Sequence, residues 1–234
     1  RDVTGVQTCA LPISLPKIDL PVYEIDLPLS KKHIKFRPFL VKEQKNLLMA
    51  MESEDTETVE RNVRQVLTNC TLTENINIDK LPVIDVEYYF INLRARSVGE
   101  IVENEYICNN EVSDEKCGGK MKGSINLLDI KVDIDDDKKD IIKLNDKITV
   151  KLKYPEFSLV EKIANINSEV DMVFEIVVDS IEYIFDGDQY YYANETPKEE
   201  LLQFVESLNQ DQFSKLDRKS TRLNSSHITI SYAV

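Results

Sequence analysis

The chain has 234 residues, 42% of them hydrophobic, enough to build a packed core in one domain or two small ones. It carries 29 basic against 42 acidic side chains, a formal charge of −13 at pH 7, which disfavours the phosphate backbone of nucleic acids. No apolar run approaches the roughly 20 residues that a membrane-spanning helix needs.

In chain order, the two ends are set apart first. Residues 1–14 (RDVTGVQTCALPIS) and 217–234 (DRKSTRLNSSHITISYAV) resemble translated sequencing-library adapters. They are expected to bury no sizeable apolar surface and to be dispensable to a body of residues 15–216. The apolar stretch from Cys9 is too short for a signal peptide and lacks a basic flank. Pro16, Pro21 and Pro28 punctuate an extended lead in which Val22, Ile25 and Leu27 read as an edge strand. A turn at Ser30-Lys31-Lys32 leads to a second strand with Ile34 and Phe36, completing a hairpin. A first helix is expected over 41–52 with Leu40, Leu47, Leu48 and Met51 facing the core, so that Leu48→Ala costs what a core truncation costs. Thr56 is expected to cap a second helix whose Val59, Val63, Val66, Leu67 and Cys70 form one apolar stripe. Pro82 sits in the first turn of a third, with Val83, Val86, Tyr89, Phe90 and Leu93 inward.

After Gly99 the period changes to two. Strands are expected over 101–107, 125–134 and 148–154, with a turn at Asn145-Asp146, and Pro155 ends this β region. Residues 170–185 are strongly apolar and read as helical. Thr196-Pro197-Lys198-Glu199 reads as a capping box opening a helix through Leu208. The fold class is therefore α+β: an N-terminal β-hairpin and helices (helical part about 40–97), a central antiparallel β region (98–154) and C-terminal helices (156–216).

The residue inventory offers little for catalysis. Outside the two ends His33 is the only imidazole, so Ser-His-Asp or Cys-His chemistry would have to centre on a residue that opens a strand beside Lys31 and Lys32. There is no glycine-rich phosphate cradle. Cys108 and Cys117, nine residues apart with Gly118-Gly119 following, are the one metal-like feature. A structural zinc needs four ligands, so further donors would come from a partner chain or from Asp114. With Cys70 they make an odd set, which argues against a disulfide framework and for a reducing compartment. The run DIDDDKKD places Asp133, Asp135 and Asp137 like the first ligands of a calcium loop, but Lys138 stands where glycine is required and Leu144 where the bidentate glutamate belongs. No enzyme activity and no cofactor are expected.

Two features suit protein partners. Tyr190-Tyr191-Tyr192, on an expected loop, cannot all face one core; the choices are a short strand with two rings packed or an aromatic anchor, with Tyr191 the first residue to probe. Arg94 and Arg96 either complement the dipole at a helix C-terminus or reach a partner.

The blocks HIKFRPFLVKEQKNLLMAMES (residues 33–53) and DKLPVIDVEYYFINLRARSVGEIVE (79–103) resemble the T-even-type phage baseplate hub assembly proteins. That resemblance covers roughly residues 15–216 and supplies no catalytic residue. It implies a tail assembly factor, chaperone or hub component that binds other baseplate hub or tail proteins and neither nucleic acid nor membrane. It further implies a location in the host cytoplasm during assembly, or in the baseplate of the virion. Two other readings stand beside it: a zinc-stabilised binding module using Cys108 and Cys117, and a carboxylate-based hydrolase.

Overall fold

The computed structural model describes residues 18–53, 55–108, 110–112, 115–132 and 140–224. Asp133, Asp135 and Asp137 of the calcium-loop comparison, and Asp114, lie outside them. The chain opens on a hairpin of β1 (Tyr23–Asp26) and β2 (His33–Phe36), with Tyr23 opposite Phe36 and Asp26 opposite His33. Ile34 and Phe36 point inward and alternate with exposed His33 and Lys35, as a half-buried strand requires. Three helices follow: α1 (Val41–Glu52), α2 (Thr56–Cys70) and α3 (Val83–Ser97). Their apolar stripes close on the hairpin to form a first core around Phe36, Leu67, Tyr89 and Leu93.

A long two-stranded arm comes next. β3 (Ile101–Ile107) pairs with β6 (Lys120–Asn126), and further out β4 (Glu111–Val112) pairs with β5 (Glu115–Lys116) in the same register. Between the two ladders Cys108 donates its N–H to Gly119 and accepts from Gly118, which is at φ 61°. That left-handed conformation favours glycine. The arm returns through a 3-10 turn, Leu127–Asp129, which packs on α3.

The rest forms a second layer pair. β7 (Ile141–Lys143), β8 (Thr149–Leu152), β9 (Ile181–Phe185) and β10 (Tyr190–Tyr192) make an antiparallel sheet in the order β10-β9-β8-β7. Between β8 and β9 lie α4 (Ser158–Ala164) and α5 (Glu169–Asp179); α6 (Lys198–Glu206) and α7 (Gln210–Asn224) follow β10. One face of the sheet packs against α5, α6 and α7 around Val150, Leu152, Val177, Ile181, Val205 and Leu216. The two cores are stitched by backbone: Val83 N–H donates to Pro155 at 3.1 Å and Phe157 N–H to Leu81 at 2.8 Å. Arg64 of α2 reinforces the seam, reaching Asp79 at 2.6 Å and Glu161 of α4 at 2.8 Å.

The α+β class and the element order agree with the sequence, but several boundaries move. Residues 170–185 are not one helix: α5 stops at Asp179 and β9 begins at Ile181. Ile181 and Ile184, three apart, imitate a helical stripe. Both point inward because the register with β8 shifts between Lys151 and Leu152, leaving Glu182 of β9 as an extra residue between Ile181 and Tyr183. The strand expected from Ile125 ends at Asn126, whose side chain accepts the N–H of Leu128 and starts the 3-10 turn. Asp55 rather than Thr56 caps α2, accepting from Thr58. The Thr196 capping box does not form; its hydroxyl donates instead to Tyr192 at 2.9 Å, and Pro197 occupies the cap position. Leu48 is exposed, whereas Glu43, Leu47 and Ala50 are the buried residues of α1. The helix rotates because Glu43 takes an inward position that the apolar pattern alone gives to Leu48. Finally, α7 extends past residue 216 and buries Leu223 in the second core, so the expectation that everything after 216 packs poorly fails over 217–224.

Leu47→Ala should cost about 2–5 kcal/mol in chemical denaturation, the usual range for a buried large-to-small change. Leu48→Ala should stay within about 0.5 kcal/mol, as surface substitutions do. Ending the chain at residue 216 instead of 224 should lower the thermal midpoint, because burying a leucine contributes about 1.5–3 kcal/mol. Burial also pushes the Glu87 carboxyl up to about 7, and one of its oxygens has no hydrogen-bond partner. The folded state therefore binds a proton that the unfolded state releases between about pH 4.5 and 7, and stability from this group falls as pH rises through that window. Glu87→Gln should raise the thermal midpoint at pH 8 and change it little at pH 4.

Candidate functional site: an uncovered aromatic face

Strand register decides which side chains share a face. Tyr190 lies opposite Phe185 and Tyr192 opposite Tyr183, while Thr149 and Lys151 of β8 continue those rows. All of these project from the face of the sheet away from the helices, because the intervening row (Tyr191, Ile184, Val150, Ile142) points toward them. The tyrosine triplet is thus a strand and not a loop, and its rings divide between two faces, as the period of two demands.

The outer face is a cluster of rings. Tyr183 meets Tyr190 edge-on at 5.2 Å and Tyr192 at 5.9 Å, Phe185 tilts against Tyr190 at 4.6 Å, and Tyr190 stacks on Tyr192 at 6.1 Å. These separations are within the range in which aromatic pairs attract beyond simple burial. Lys151 Nζ lies 5.7 Å from the Tyr183 ring and also pairs with Glu182 at 2.9 Å. Tyr190 remains 53% exposed and Tyr192 44%. The cluster therefore fixes ring orientations while leaving their outer surfaces wet.

Tyr191, the expected first probe, has a different position and a different task. Its hydroxyl donates to Asp186 Oδ2 at 2.9 Å across the β9–β10 turn. Asp186 Oδ1 accepts the N–H groups of Asp188 and Gln189, and these bonds hold its carboxyl below the usual range, with the Gln189 bond the largest cause and Tyr191 a smaller one. Tyr190 and Tyr192 lie on the outer face, and Tyr191, 39% exposed, on the other.

The other sequence candidates are dispersed. Arg94 Nη1 donates to the Gly99 carbonyl at 3.3 Å beyond the end of α3, and the side chain also lines a small apolar cavity of about 30 Å³ with Phe39, Leu47 and Phe90. Arg96 lies over the Tyr23 ring at 5.0 Å, a cation–π contact that ties α3 to β1. Cys108 and Cys117 both project near Gly119 on the arm and are free thiols, with Cys117 exposed. They supply two donors, and among the described residues no group of three or more His, Cys, Asp or Glu side chains is placed to hold a metal ion. His33 sits on the exposed hairpin, its Nδ1 2.7 Å from Asp26 and its Nε2 3.4 Å from Glu24. The hydrogen bond to Asp26 raises its pKa, and no nucleophile accompanies it among these contacts. No described helix is long and apolar enough to cross a membrane.

What sequence reasoning missed is the contribution of Tyr183 and Phe185, hidden inside an apolar run read as helix. The signal available was alternation from Tyr183 to Phe185 immediately before the turn residues Asp186-Gly187-Asp188, a hairpin signature.

The α+β body thus displays an ordered aromatic face that no element of the described residues covers. The chain belongs to the family described as T4 bacteriophage base plate protein, which it matches over residues 20–234. It is also similar to the baseplate hub assembly protein gp26 of Enterobacteria phage T4, at 29% identity over 135 residues, 57% of this chain and 56% of that protein. The match thus spans just over half the length of the curated relative. No solved structure matches the chain.

Proposed function

We propose that this protein is an assembly factor of the baseplate hub, acting by binding another tail protein through the outer face of its C-terminal sheet. The observation that carries the reading is the exposed ring cluster of Tyr183, Phe185, Tyr190 and Tyr192 on a chain of base plate family. Rings already held by one another lose little further freedom on binding and bury much apolar area, which is why tyrosine is prominent among interface anchors. β10 also ends the sheet, so its outer edge is available to a partner strand.

The acidic surface supplies the second half of the mechanism. A chain of net charge −13 attracts a basic client over long range and stays soluble while it shields that client's apolar surface. In this reading the protein works in the host cytoplasm as a chaperone until the hub docks. Finding it in purified virions would instead make it a resident component of the baseplate.

Titrating the purified protein against each tail protein encoded beside it tests the reading. Replacing both Tyr190 and Tyr192 by alanine should weaken the productive pair by more than about 2 kcal/mol, roughly thirtyfold, measured at a temperature where circular dichroism shows the variant still folded. Association should slow as salt is added. Equal affinity for the double variant and the parent would remove the aromatic face from the account.

A further inference from the structure

The β3–β6 arm carries an uncovered face of its own. In its register Val102 lies opposite Ile125, Asn104 opposite Gly123 and Tyr106 opposite Met121, all on one side. None of these six is charged, and Tyr106 (49%), Met121 (68%) and Ile125 (44%) are heavily exposed. The Tyr106 ring lies so close over Gly123 that a Cβ there would sit 3.0 Å from Cε2, so glycine holds the ring against the ribbon. The other side carries every charge of the two strands: Glu103, Glu105, Lys120 and Lys122 project there between Ile101 and Ile107 at its ends, with Lys120 Nζ 2.6 Å from Glu105. The two faces thus differ in charge: one bears all four charged side chains of β3 and β6, the other none.

An isolated two-stranded ribbon is marginal in water and gains stability when an apolar face is covered. This one meets the body chiefly at its base, where the 3-10 turn Leu127–Asp129 packs on α3. The outer edges of β3 and β6 pair with nothing in the described chain. We propose that the uncharged face of the arm is a second docking surface, and that its occupant is a tail protein of net positive charge presenting an uncharged apolar patch. This rests on the assembly reading above and adds a site to it. Two features select that occupant. The face offers no counter-ion, so a charge buried against it would be left unpaired. A second copy of this chain would bring another −13 charges to the contact, whereas a basic partner is attracted.

The test uses the full chain with the purified, individually expressed tail proteins encoded beside it as probes. Met121→Glu and, nearer the base, Ile125→Glu place a carboxylate on the apolar face; Lys122→Gln alters the opposite face as a control. An added negative charge favours a basic protein at long range, so a loss of binding reads out the apolar contact itself. The expected result is at least tenfold weaker binding of a basic tail protein by either glutamate variant, with Lys122→Gln within twofold and thermal midpoints unchanged. Undiminished binding by both glutamate variants overturns the arm proposal, and the assembly reading survives if the Tyr190 and Tyr192 double variant still weakens that binding. An acidic partner, or a homodimer in light scattering that Met121→Glu dissociates, also overturns it. If the parent chain binds none of the tail proteins, the assembly reading itself fails and the arm proposal falls with it.

Discussion

The ion pair between Arg37 and Glu43 fixes how the N-terminal hairpin meets the helices, and the rest of the molecule is built on that junction. Glu43 is 2% exposed; one of its oxygens accepts from Arg37 Nη2 at 3.0 Å and the other from the Leu40 N–H at 2.6 Å. Burial alone would raise its pKa, but the Arg37 bond and the Leu40 N–H outweigh that and hold it below the usual range. The same arginine donates to the Pro38 carbonyl, and its own N–H donates to Cys70 at the end of α2. One residue thereby sets the end of β2, the start of α1 and the end of α2. Removing one partner of such a pair leaves the other charge buried and unmatched, a penalty of about 3–5 kcal/mol. Asp85 of α3 plays a matching part, accepting the N–H groups of Leu29 and Ser30 at 2.8 Å each while fully buried.

From that junction the structure extends in one direction to the arm and in the other to the second core. Arg37 and Glu43 lie in the first family-like block and Asp85 in the second, so what those blocks encode is the fastening of the hairpin. Apart from Val102, the contacts proposed for function lie elsewhere, on the sheet's outer face and on the arm. This separation has a physical basis. A binding face must remain uncovered, and an uncovered apolar face persists only on a scaffold whose own packing does not need it. The two cores, joined by the Leu81–Phe157 and Val83–Pro155 hydrogen bonds, supply that scaffold.

Much of the architecture was legible in the residues. Val63, Val66, Leu67 and Cys70 repeat at helical spacing and are all buried on α2, and the alternation of residues 101–107 marks β3 as observed. The tyrosine triplet stood out as something no single core could absorb, and two of its rings do face solvent with a third exposed at the opposite rim. Errors gathered where one pattern fits two structures. Residues 170–185 place Asp171, Glu175, Asp179 and Glu182 at helical spacing among apolar side chains, so the helical pattern runs on past the end of α5 into β9. In α1 the pattern assigned Leu48 to the core because it counted only apolar residues, and a buried carboxylate took part of that face.

The sequence by itself determined the class of the fold, the chain order of its main elements, the acidic surface and the family. These follow from local periodicity, from turn residues and from charge, each of which a short segment carries within itself. Only the tertiary structure decided that Tyr190 and Tyr192 share a face with Tyr183 and Phe185, that Tyr191 does not, and that the arm has one apolar side. Those facts depend on register between strands, and a slip of one residue would have turned every one of these side chains to the other face. The burial of Glu43 and Asp85 was decided there too, because a carboxylate is tolerated inside only when distant donors are brought to it, here the Arg37 guanidinium and the Leu29 and Ser30 amides.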